Sequence, residues 1–526
     1  MLSVCILLLI CSCGETSDTS PKENADNSTG EQTDGKISPE DNTDSSGEEE
    51  NYKPDEVALL SVMLGDEFIE ECKENNVVER AFWNKLRLAD ADAKKYPKLQ
   101  NAFDKHNADA EESAKALMYE LDNAAKDLVG DEFNPTYISG ETNTYIQRAD
   151  SAIVSVLNGT SVYSGGVHPD YYYATVNLNP ETGEEIALSD VVFDFENLPE
   201  ILVDEIIKKY DYVEFDKETL LEILKGYSEE DYNWTVDYQG ITIWFSPYDI
   251  AAYTVGPLSA KVYFEDFAEM FNDKYSVTDI ESYGMVLPMG QKIDFDLDPT
   301  DGERDSVEIT TRTEEYGNYN MLSVTVNGKT VTDEIKYAYD FDVSLARVGD
   351  KAYLYSELWS DGDFHMLDTW DLNGEEPQIA DELYDVQRYY EFIEAENLKY
   401  KQVINDPTSF RLTKKFEILG TRAGWANFKA NEKNGIPEMM DKVYTLCDGH
   451  NITSKMSLDA ELLPDMGKTQ IPSGTELFPY QTDGESFVDA KTDDEIFRIR
   501  VDTSVRPTTV NGIPEEECFE NIMYAG

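Results

Sequence analysis

One acidic stretch of the chain, DFDLDPTDGERD, carries residue types suited to binding a metal ion. Pro299 and Thr300 interrupt its alternating carboxylates, and the glutamate that ends many calcium loops is absent. Alternating carboxylates before a glycine turn can supply several oxygen ligands to Ca²⁺. Two interpretations therefore stay open, a Ca²⁺ site or a solvated acidic turn, and no other cofactor is expected. The candidate ligands are Asp294, Asp296, Asp298, Asp301 and Asp305.

A second candidate site lies in GGVHPDYYYATVNL, which combines a Gly-Gly pair, a His-Pro step and three consecutive tyrosines. Alternation along a strand places Tyr171 and Tyr173 on one face and Tyr172 on the other. Outward tyrosines are good interface anchors, although they are also ordinary strand formers. His168 is expected to hold a turn, because the four histidines of the chain have no metal-ligand spacing. We take His168, Tyr171 and Tyr173 as candidate ligand contacts.

The sequence contains none of the short motifs that commonly mark a catalytic centre. It has no phosphate-binding loop, no nucleophile elbow, no zinc-protease helix motif and no Cys-x-x-Cys pair. A glycosidase-like carboxylate pair can always be imagined among 107 acidic residues, so it carries little information. The sequence therefore predicts no catalytic residue and a non-catalytic protein, with an envelope hydrolase that uses carboxylates as an alternative.

The net charge limits the classes of partner. The formal charge is -64, from 43 Lys and Arg against 107 Asp and Glu. Nucleic acid, anionic lipid headgroups and anionic wall polymers would be repelled by such a chain. A cationic protein or a divalent cation is a more suitable partner. The alternative interpretation is that the acidic residues only keep the protein soluble.

The first residues, MLSVCILLLICSCGE, have the pattern of an export signal. The apolar core from Val4 to Ile10 is too short to span a bilayer and is typical of a signal peptide over residues 1–12. Ile10–Cys13 resembles a bacterial lipobox, which would make Cys13 the acylated residue and the lipid the only membrane attachment. No Lys or Arg precedes the core, so we expect the true start codon upstream. Residues 13–52 are polar and predict a disordered acidic linker.

The elements that must position these residues predict an α+β fold. Residues 53–160 read as an α+β region, and the tyrosine strand with its Asn-Pro-Glu-Thr-Gly turn predicts a β-hairpin. Residues 290–445 read as a β-rich meander or propeller-like array, and residues 446–526 as a small β domain. The expected elements are a helix from about Asp109 to Val129, a strand over Tyr145–Leu157, a return strand from Ile186, a helix with Pro199 in its first turn, a helix over Lys217–Lys225, strands over Gly240–Phe245 and Ser259–Phe264, and a helix over Tyr384–Leu398.

Two separated segments resemble a known family. Tyr163–Pro169, continued by Val176–Gly183 and Ile186–Asp190, is similar to one signature of RsiV-like and PdaC-like extracytoplasmic domains. Phe245–Gly256 is similar to the second signature, and Tyr96–Leu99 resembles part of the smaller domain that usually precedes it. The resemblance covers about residues 55–270, with 161–275 as the RsiV-like module.

The resemblance implies a domain of unknown function that occurs in an anti-sigma factor and in a peptidoglycan deacetylase. In the anti-sigma factor the domain is a receptor for lysozyme, a small basic enzyme. No catalytic or contact residue is carried over, because the matched motifs do not include the deacetylase's catalytic domain or fix the partner contacts. A shorter stretch, Ile471–Leu477, resembles a strand of bacterial SH3-like barrels, which often bind cell-wall peptide.

The sequence therefore predicts a lipid-anchored binding protein of the cell envelope, on the outer face of the cytoplasmic membrane. Its expected ligand is a cationic protein such as lysozyme or a cell-wall glycopeptide. The alternatives are a hydrolase of wall polymer and a structural scaffold in an envelope assembly.

Overall fold

The computed structural model describes residues 57–524 except 132–133, 278, 300–301, 314–318, 335–337, 361–363 and 448–449. This part belongs to one compact unit that begins at Pro54. Strands dominate it, with a few helices and a β-rich C-terminal half, so the expected α+β class is confirmed at that level. The predicted signal segment, Cys13 and the linker over 13–52 lie outside the described residues. No helix within the described ranges is long and apolar enough to cross a membrane.

The first part of the chain builds most of a seven-stranded sheet with a long helix packed on it. The helix begins at Pro97, about twelve residues earlier than expected, because Leu99 and Phe103 extend its buried apolar stripe and proline suits a first helical turn. The elements are β1 (Val62–Cys72), β2 (Val77–Leu88), α1 (Asp90–Lys95), α2 (Pro97–Ala125), β3 (Thr136–Ala149), β4 (Val154–Tyr163) and β5 (Asp170–Leu178).

The strand expected over Tyr145–Leu157 is in fact two strands joined by a tight turn. Asp150, fully buried, accepts hydrogen bonds from the backbone N–H groups of Ala152 (2.8 Å) and Ile153 (3.0 Å). The same carboxylate pairs with Arg148, with 2.6 Å between Nε and Oδ2. The turn therefore rests on a buried ion pair that apolar periodicity does not reveal. The boundary expected at residue 160 also falls inside β4.

The strand with the three tyrosines, β5, does form a hairpin, but with the strand before it in the chain, β4, and not with the predicted return strand after it. β5 pairs antiparallel with β4, from Val162 opposite Asp170 to Val154 opposite Leu178. The predicted return strand at Ile186 is wrong, since only the bridge between Leu178 and Glu185 forms before a short helix begins. The loop of the real hairpin is therefore SGGVHP, residues 164–169.

The next part packs helices on a three-stranded sheet around an apolar core. The helix predicted with Pro199 in its first turn is confirmed and buries Leu198, Leu202 and Ile206. The helix over Lys217–Lys225 and the strand over Gly240–Phe245 have the predicted bounds. The elements are α3 (Leu188–Val191), α4 (Leu198–Lys209), α5 (Lys217–Lys225), β6 (Asn233–Val236), β7 (Gly240–Phe245), β8 (Leu258–Tyr263) and α6 (Asp273–Ser276).

Residues 282–402 form a four-stranded sheet, β10-β11-β12-β13, a five-stranded sheet, β17-β16-β15-β14-β9, and two further strands of the first sheet. The remaining strand of this range, β18, pairs with the sheet of the last part of the chain. That first sheet has the order β19-β20-β1-β2-β3-β4-β5. The strands are β9 (Ser282–Val286), β10 (Lys292–Asp294), β11 (Ser306–Thr313), β12 (Tyr319–Val326), β13 (Lys329–Asp333), β14 (Asp340–Val348), β15 (Lys351–Ser360), β16 (Phe364–Asp371), β17 (Gln378–Tyr384), β18 (Val386–Arg388), β19 (Tyr390–Ile393) and β20 (Leu398–Gln402).

The antiparallel meander is confirmed in the run from β14 to β17. The helix expected over Tyr384–Leu398 is wrong, because this segment contains β18 and β19. Arg388 on β18 is buried and reaches carboxylates on two neighbouring strands, a tertiary contact that overrides the local helical pattern.

The last part of the chain is one extended sheet with small additions. The stretch Ile471–Leu477 is not a strand of its own, because it runs from the last residue of β27 through a turn over residues 472–475 into the first two residues of β28. The elements are β21 (Phe410–Glu417), β22 (Thr421–Ala430), β23 (Pro437–Met439), β24 (Tyr444–Leu446), β25 (Ile452–Ser454), β26 (Leu458–Leu462), β27 (Gly467–Ile471), β28 (Glu476–Thr482), β29 (Phe487–Lys491), β30 (Ile496–Asp502), β31 (Thr509–Val510), β32 (Ile513–Pro514), α7 (Glu515–Cys518) and β33 (Phe519–Glu520).

Candidate binding surface

Two segments that are distant in the sequence meet at one surface of the protein. One is the β4–β5 loop over residues 164–169, and the other is the connection over residues 246–257 between β7 and β8. The ring of His168 stacks on the ring of Tyr253, with 4.1 Å between centroids and 25° between planes. The Tyr253 hydroxyl donates a hydrogen bond to the carbonyl of Pro169. The two segments therefore hold each other in place.

Hydrogen bonds of polar side chains on β4 and β5 hold the strands that carry these two segments together. Thr175 Oγ1 on β5 accepts a hydrogen bond from Trp234 N on β6 at 3.1 Å. Asn177 Nδ2 on β5 donates to the Trp234 carbonyl at 2.9 Å, and Asn177 Oδ1 accepts from Ser155 Oγ on β4 at 2.6 Å. These bonds join the edge of the seven-stranded sheet to the three-stranded sheet.

The three consecutive tyrosines of β5 differ in their surroundings. Tyr171 and Tyr172 are both exposed, although alternation placed them on opposite faces. Tyr173 is half-buried, its ring lies 5.4 Å from that of Trp244, and its backbone N–H donates to Ser246 Oγ at 3.0 Å. Burial raises the pKa of the Tyr173 hydroxyl well above its usual range. Tyr173 thus anchors the strand, and Tyr171 and Tyr172 face solvent.

A strained turn presents a further tyrosine. Ser246, Pro247, Tyr248 and Asp249 form a turn in which Asp249 N donates to the Ser246 carbonyl at 3.1 Å and Ser246 N donates to Asp249 Oδ2 at 2.7 Å. Tyr248 has a φ of 78° and is 72% exposed. Proline followed by a residue with positive φ has the pattern of a type II turn, where glycine or asparagine is usual. A tyrosine there costs about 1 kcal/mol, so the backbone holds an exposed ring against its own preference.

Together these side chains form what we call the tyrosine surface, defined by His168, Tyr171, Tyr172, Tyr248 and Tyr253. The rings of Tyr248 and Tyr253 lie 5.7 Å apart, which continues the stacked pair. Sequence reasoning found two of these residues, His168 and Tyr171. It placed Tyr172 on the opposite face of the strand, and it missed Tyr248 and Tyr253 because their contacts cross between segments. A tyrosine directly after a turn proline was nevertheless a usable signal for Tyr248.

The surroundings of the tyrosine surface are acidic. Burial raises the pKa of Tyr172, and the negative charges of Asp170 and Glu120 raise it further. Burial also raises the pKa of the Asp249 carboxyl, which the backbone hydrogen bond from Ser246 partly offsets. Exposed rings bordered by carboxylates suit a partner that brings basic side chains, because rings attract cations as well as apolar groups.

The acidic stretch that was a metal candidate uses its carboxylates within the protein. Asp294 Oδ2 lies 2.7 Å from Lys209 Nζ, and Asp296 pairs with Arg304. Asp305 Oδ2 accepts a hydrogen bond from Leu297 N at 2.8 Å. Asp298 is exposed, and Asp301 lies outside the described residues. In the part of the chain that the structure describes, no group of three potential metal ligands comes together.

Comparisons with known proteins identify one domain. Residues 194–265 match a family described as a protein of unknown function, DUF3298, so this part is a DUF3298 domain. The match includes α4, α5, β6, β7 and β8 with the Tyr248 turn, and the β4–β5 hairpin precedes it. No curated protein matches the chain.

Two solved structures are similar to part of the chain. One is a DUF3298 family member from Bacteroides fragilis NCTC 9343, with 16% identity, 41% of this chain and 95% of that chain covered, and a TM-score of 0.31. The other is a DUF3298 family protein from Pseudomonas aeruginosa PAO1, with 11% identity, 43% of this chain and 97% of that chain covered, and a TM-score of 0.28.

Proposed function

We propose that this protein is a non-catalytic receptor of the cell envelope that binds a cationic protein, such as a lysozyme, through its tyrosine surface. The observation that carries the proposal is the pairing of two separated segments, through His168 and Tyr253, to present exposed tyrosines. The net charge of -64 supports a basic partner, because it would accelerate the encounter of opposite charges.

The attachment to the membrane is part of the same proposal. Cys13, in its lipobox-like context, carries the lipid, and the polar segment over residues 14–52 spaces the folded part from the outer face of the cytoplasmic membrane. The resemblance of residues 161–275 to RsiV-like domains supports a receptor role, since those domains include a lysozyme receptor. Labelling of the full-length protein with a fatty-acid probe tests the anchor, and Cys13→Ala should abolish the label.

The binding proposal is tested by titrating the region from residue 53 onward with hen lysozyme in a calorimeter across a salt series. We expect binding that persists at physiological ionic strength, where charges more than about 8 Å apart are largely screened. Tyr172→Ala should weaken binding about tenfold or more, as expected for an aromatic interface anchor. The matched control is Phe392→Ala, which removes an exposed ring from β19 at the opposite edge of the seven-stranded sheet.

Two results would overturn the proposal. Binding that disappears at physiological salt and is equally strong in Tyr172→Ala would reveal charge attraction alone. Release of soluble muropeptides from purified wall by the same protein would instead favour the hydrolase alternative.

A further inference from the structure

Four carboxylates from the seven-stranded and the five-stranded sheets lie near one another. Asp340 on β14 is directly opposite Trp359 on β15, and Asp342 is directly opposite Glu357. Side chains at directly opposite positions share one face of a sheet, with Cβ atoms about 5 Å apart. Asp66 on β1 approaches from the other sheet. We call Asp66, Asp340, Asp342 and Glu357 the carboxylate cleft.

Two cationic side chains, Arg388 and Lys401, lie in this cleft, and both pair with Asp342. Arg388 Nε lies 2.7 Å from Glu357 Oε2, and the other end of the guanidinium pairs with Asp342. Lys401 Nζ lies 3.5 Å from Asp342 Oδ2. The cleft therefore sets two side-chain cations against four carboxylates.

The remaining carboxylate oxygens are poorly matched. Among the described residues neither Asp66 nor Asp340 forms an ion pair. Asp66 accepts a hydrogen bond from Asn84 Nδ2 at 2.8 Å, and Asp340 Oδ1 accepts one from Phe341 N at 2.9 Å. Glu357 is 3% exposed, and its Oε1 has no hydrogen-bond partner within the same described ranges, with His365 Nδ1 at 3.9 Å. A buried carboxylate oxygen without a partner is costly, so the cleft has unused capacity to accept.

The pKa values of Asp340 and Asp66 are both raised, in line with the surplus of negative charge. Burial raises the pKa of Asp340 to about 7, and the charges of Asp342 and Asp66 add to the effect against the opposing charge of Lys401. Burial raises the pKa of Tyr145 on β3 and of Tyr319 on β12, and the charge of Asp340 raises both further. Burial likewise raises the pKa of Asp66. Both residues are nevertheless exposed at the surface of the protein.

Two exposed aromatic rings, those of Trp359 and Tyr339, lie next to Asp340 in the sheet. Trp359 is 42% exposed and lies between Asp340 on β14 and His365 on β16 in the register of the sheet. The ring of Tyr339 lies 5.0 Å from that of Trp359, tilted by 48°. Exposed rings next to a carboxylate favour an organic cation, because the ring face and the carboxylate both attract it and a metal ion gains little from the rings.

We propose that the carboxylate cleft is a second binding site, for a small organic ammonium ion that lies against Trp359 with Asp340 as its counter-ion. Asp342 and Glu357, already paired with Arg388 and Lys401, keep the floor of the cleft rigid. Since the cation favours the ionised form of Asp340, its binding near neutral pH expels a proton from that carboxyl.

The probe is tetramethylammonium chloride, titrated by calorimetry at pH 7 in buffers that differ in protonation heat. We expect saturable binding, proton release that is visible as a buffer-dependent heat, and affinity that rises between pH 6 and pH 8. Asp340→Asn and Trp359→Ala should each weaken binding about tenfold or more, and Trp359→Phe should retain most of it. Asp493→Asn, an exposed carboxylate in the turn between β29 and β30, is the control and should change nothing.

A parallel titration with CaCl₂ separates the two kinds of cation. Calcium binding that needs Asp340 but not Trp359, with no tetramethylammonium binding, would overturn the organic-cation proposal. Absence of heat with tetramethylammonium in the folded protein would overturn it as well, and thermal unfolding of each variant confirms that the variant is folded. These tests do not depend on the tyrosine surface, so either proposal can fail without the other.

Discussion

The ring of Tyr253 stacks on His168 while its hydroxyl donates a hydrogen bond to the carbonyl of the next residue, Pro169. One side chain thereby fixes both the ring and the backbone of the β4–β5 loop. The loop contains two glycines and would otherwise have many accessible conformations. Because the exposed tyrosines of β5 follow directly, a rigid loop presents them with little loss of entropy on binding.

Tyr253→Phe keeps the stacking and removes only the hydroxyl that donates to Pro169. We expect a loss of about 0.5–1.5 kcal/mol in the free energy of unfolding and faster amide exchange in residues 164–169. Urea denaturation and hydrogen exchange measure the two effects. The matched control is Tyr227→Phe, whose hydroxyl donates to the Asp249 carbonyl at the long distance of 3.5 Å and should have a smaller effect. Equal effects of both changes would contradict the role given to Tyr253.

Tyr248→Gly separates binding from stability. Glycine adopts the φ of 78° without strain, so we expect stability within about 1 kcal/mol of the wild type or above it. The loss of an exposed ring should nevertheless weaken lysozyme binding about tenfold. Thermal unfolding and calorimetric titration of the same sample check both. A clear loss of stability would contradict the backbone strain at Tyr248, and unchanged affinity would show that Tyr248 does not serve the binding surface.

The sequence predicted those elements whose pattern is local. The helix over Lys217–Lys225 has apolar residues at helical spacing, Asp216 as its N-cap and Gly226 after its end, so its bounds agree with the structure. The strand over Gly240–Phe245 is a buried apolar run between polar turns, and its bounds could also be predicted from the sequence. Both elements are set by interactions within a few residues of each other.

The failures have the opposite origin. The segment over Tyr384–Leu398 reads as a helix, yet Arg388 is held in a strand by carboxylates on β14 and β15. Alternation along the strand predicts that Tyr173 faces outward, yet its ring is half-buried against Trp244. Asp340 and Trp359 carry no local signal at all, because their proximity comes from strand register. The missing information in each case is a contact between distant segments.

Asp150→Ala should strongly destabilise the protein. It leaves the fully buried guanidinium of Arg148 without its carboxylate and removes the acceptor of two backbone N–H groups in the β3–β4 turn. Loss of one partner of a buried pair typically costs about 3–5 kcal/mol. Asp150→Asn isolates the charge, because an amide oxygen can still accept from the turn. Urea denaturation at neutral pH measures both variants, and a loss below about 1 kcal/mol in Asp150→Ala would contradict the importance of the pair.

Asp368 on β16 should make the protein less stable as the pH rises. Its side chain is 1% exposed, and burial raises its pKa to about 8, with the charges of Asp333 and Glu382 adding to the effect. Between about pH 4 and pH 8 the carboxyl ionises in the unfolded chain but stays protonated in the folded one. The folded state then binds the extra proton, so the free energy of unfolding falls across this window, by at most about 1.4 kcal/mol per pH unit.

Asp368→Asn removes this titration while keeping the size of the side chain. We expect its stability to equal that of the wild type near pH 4 and to exceed it by at least about 1 kcal/mol at pH 8. Urea denaturation at pH 4, 6 and 8 gives the comparison. Asp216→Ala should show the opposite sign, because hydrogen bonds from Thr219 lower the pKa of Asp216 and its stabilising effect is lost as the pH falls. If Asp368→Asn shifted stability equally at all three pH values, altered packing rather than ionisation would be the cause.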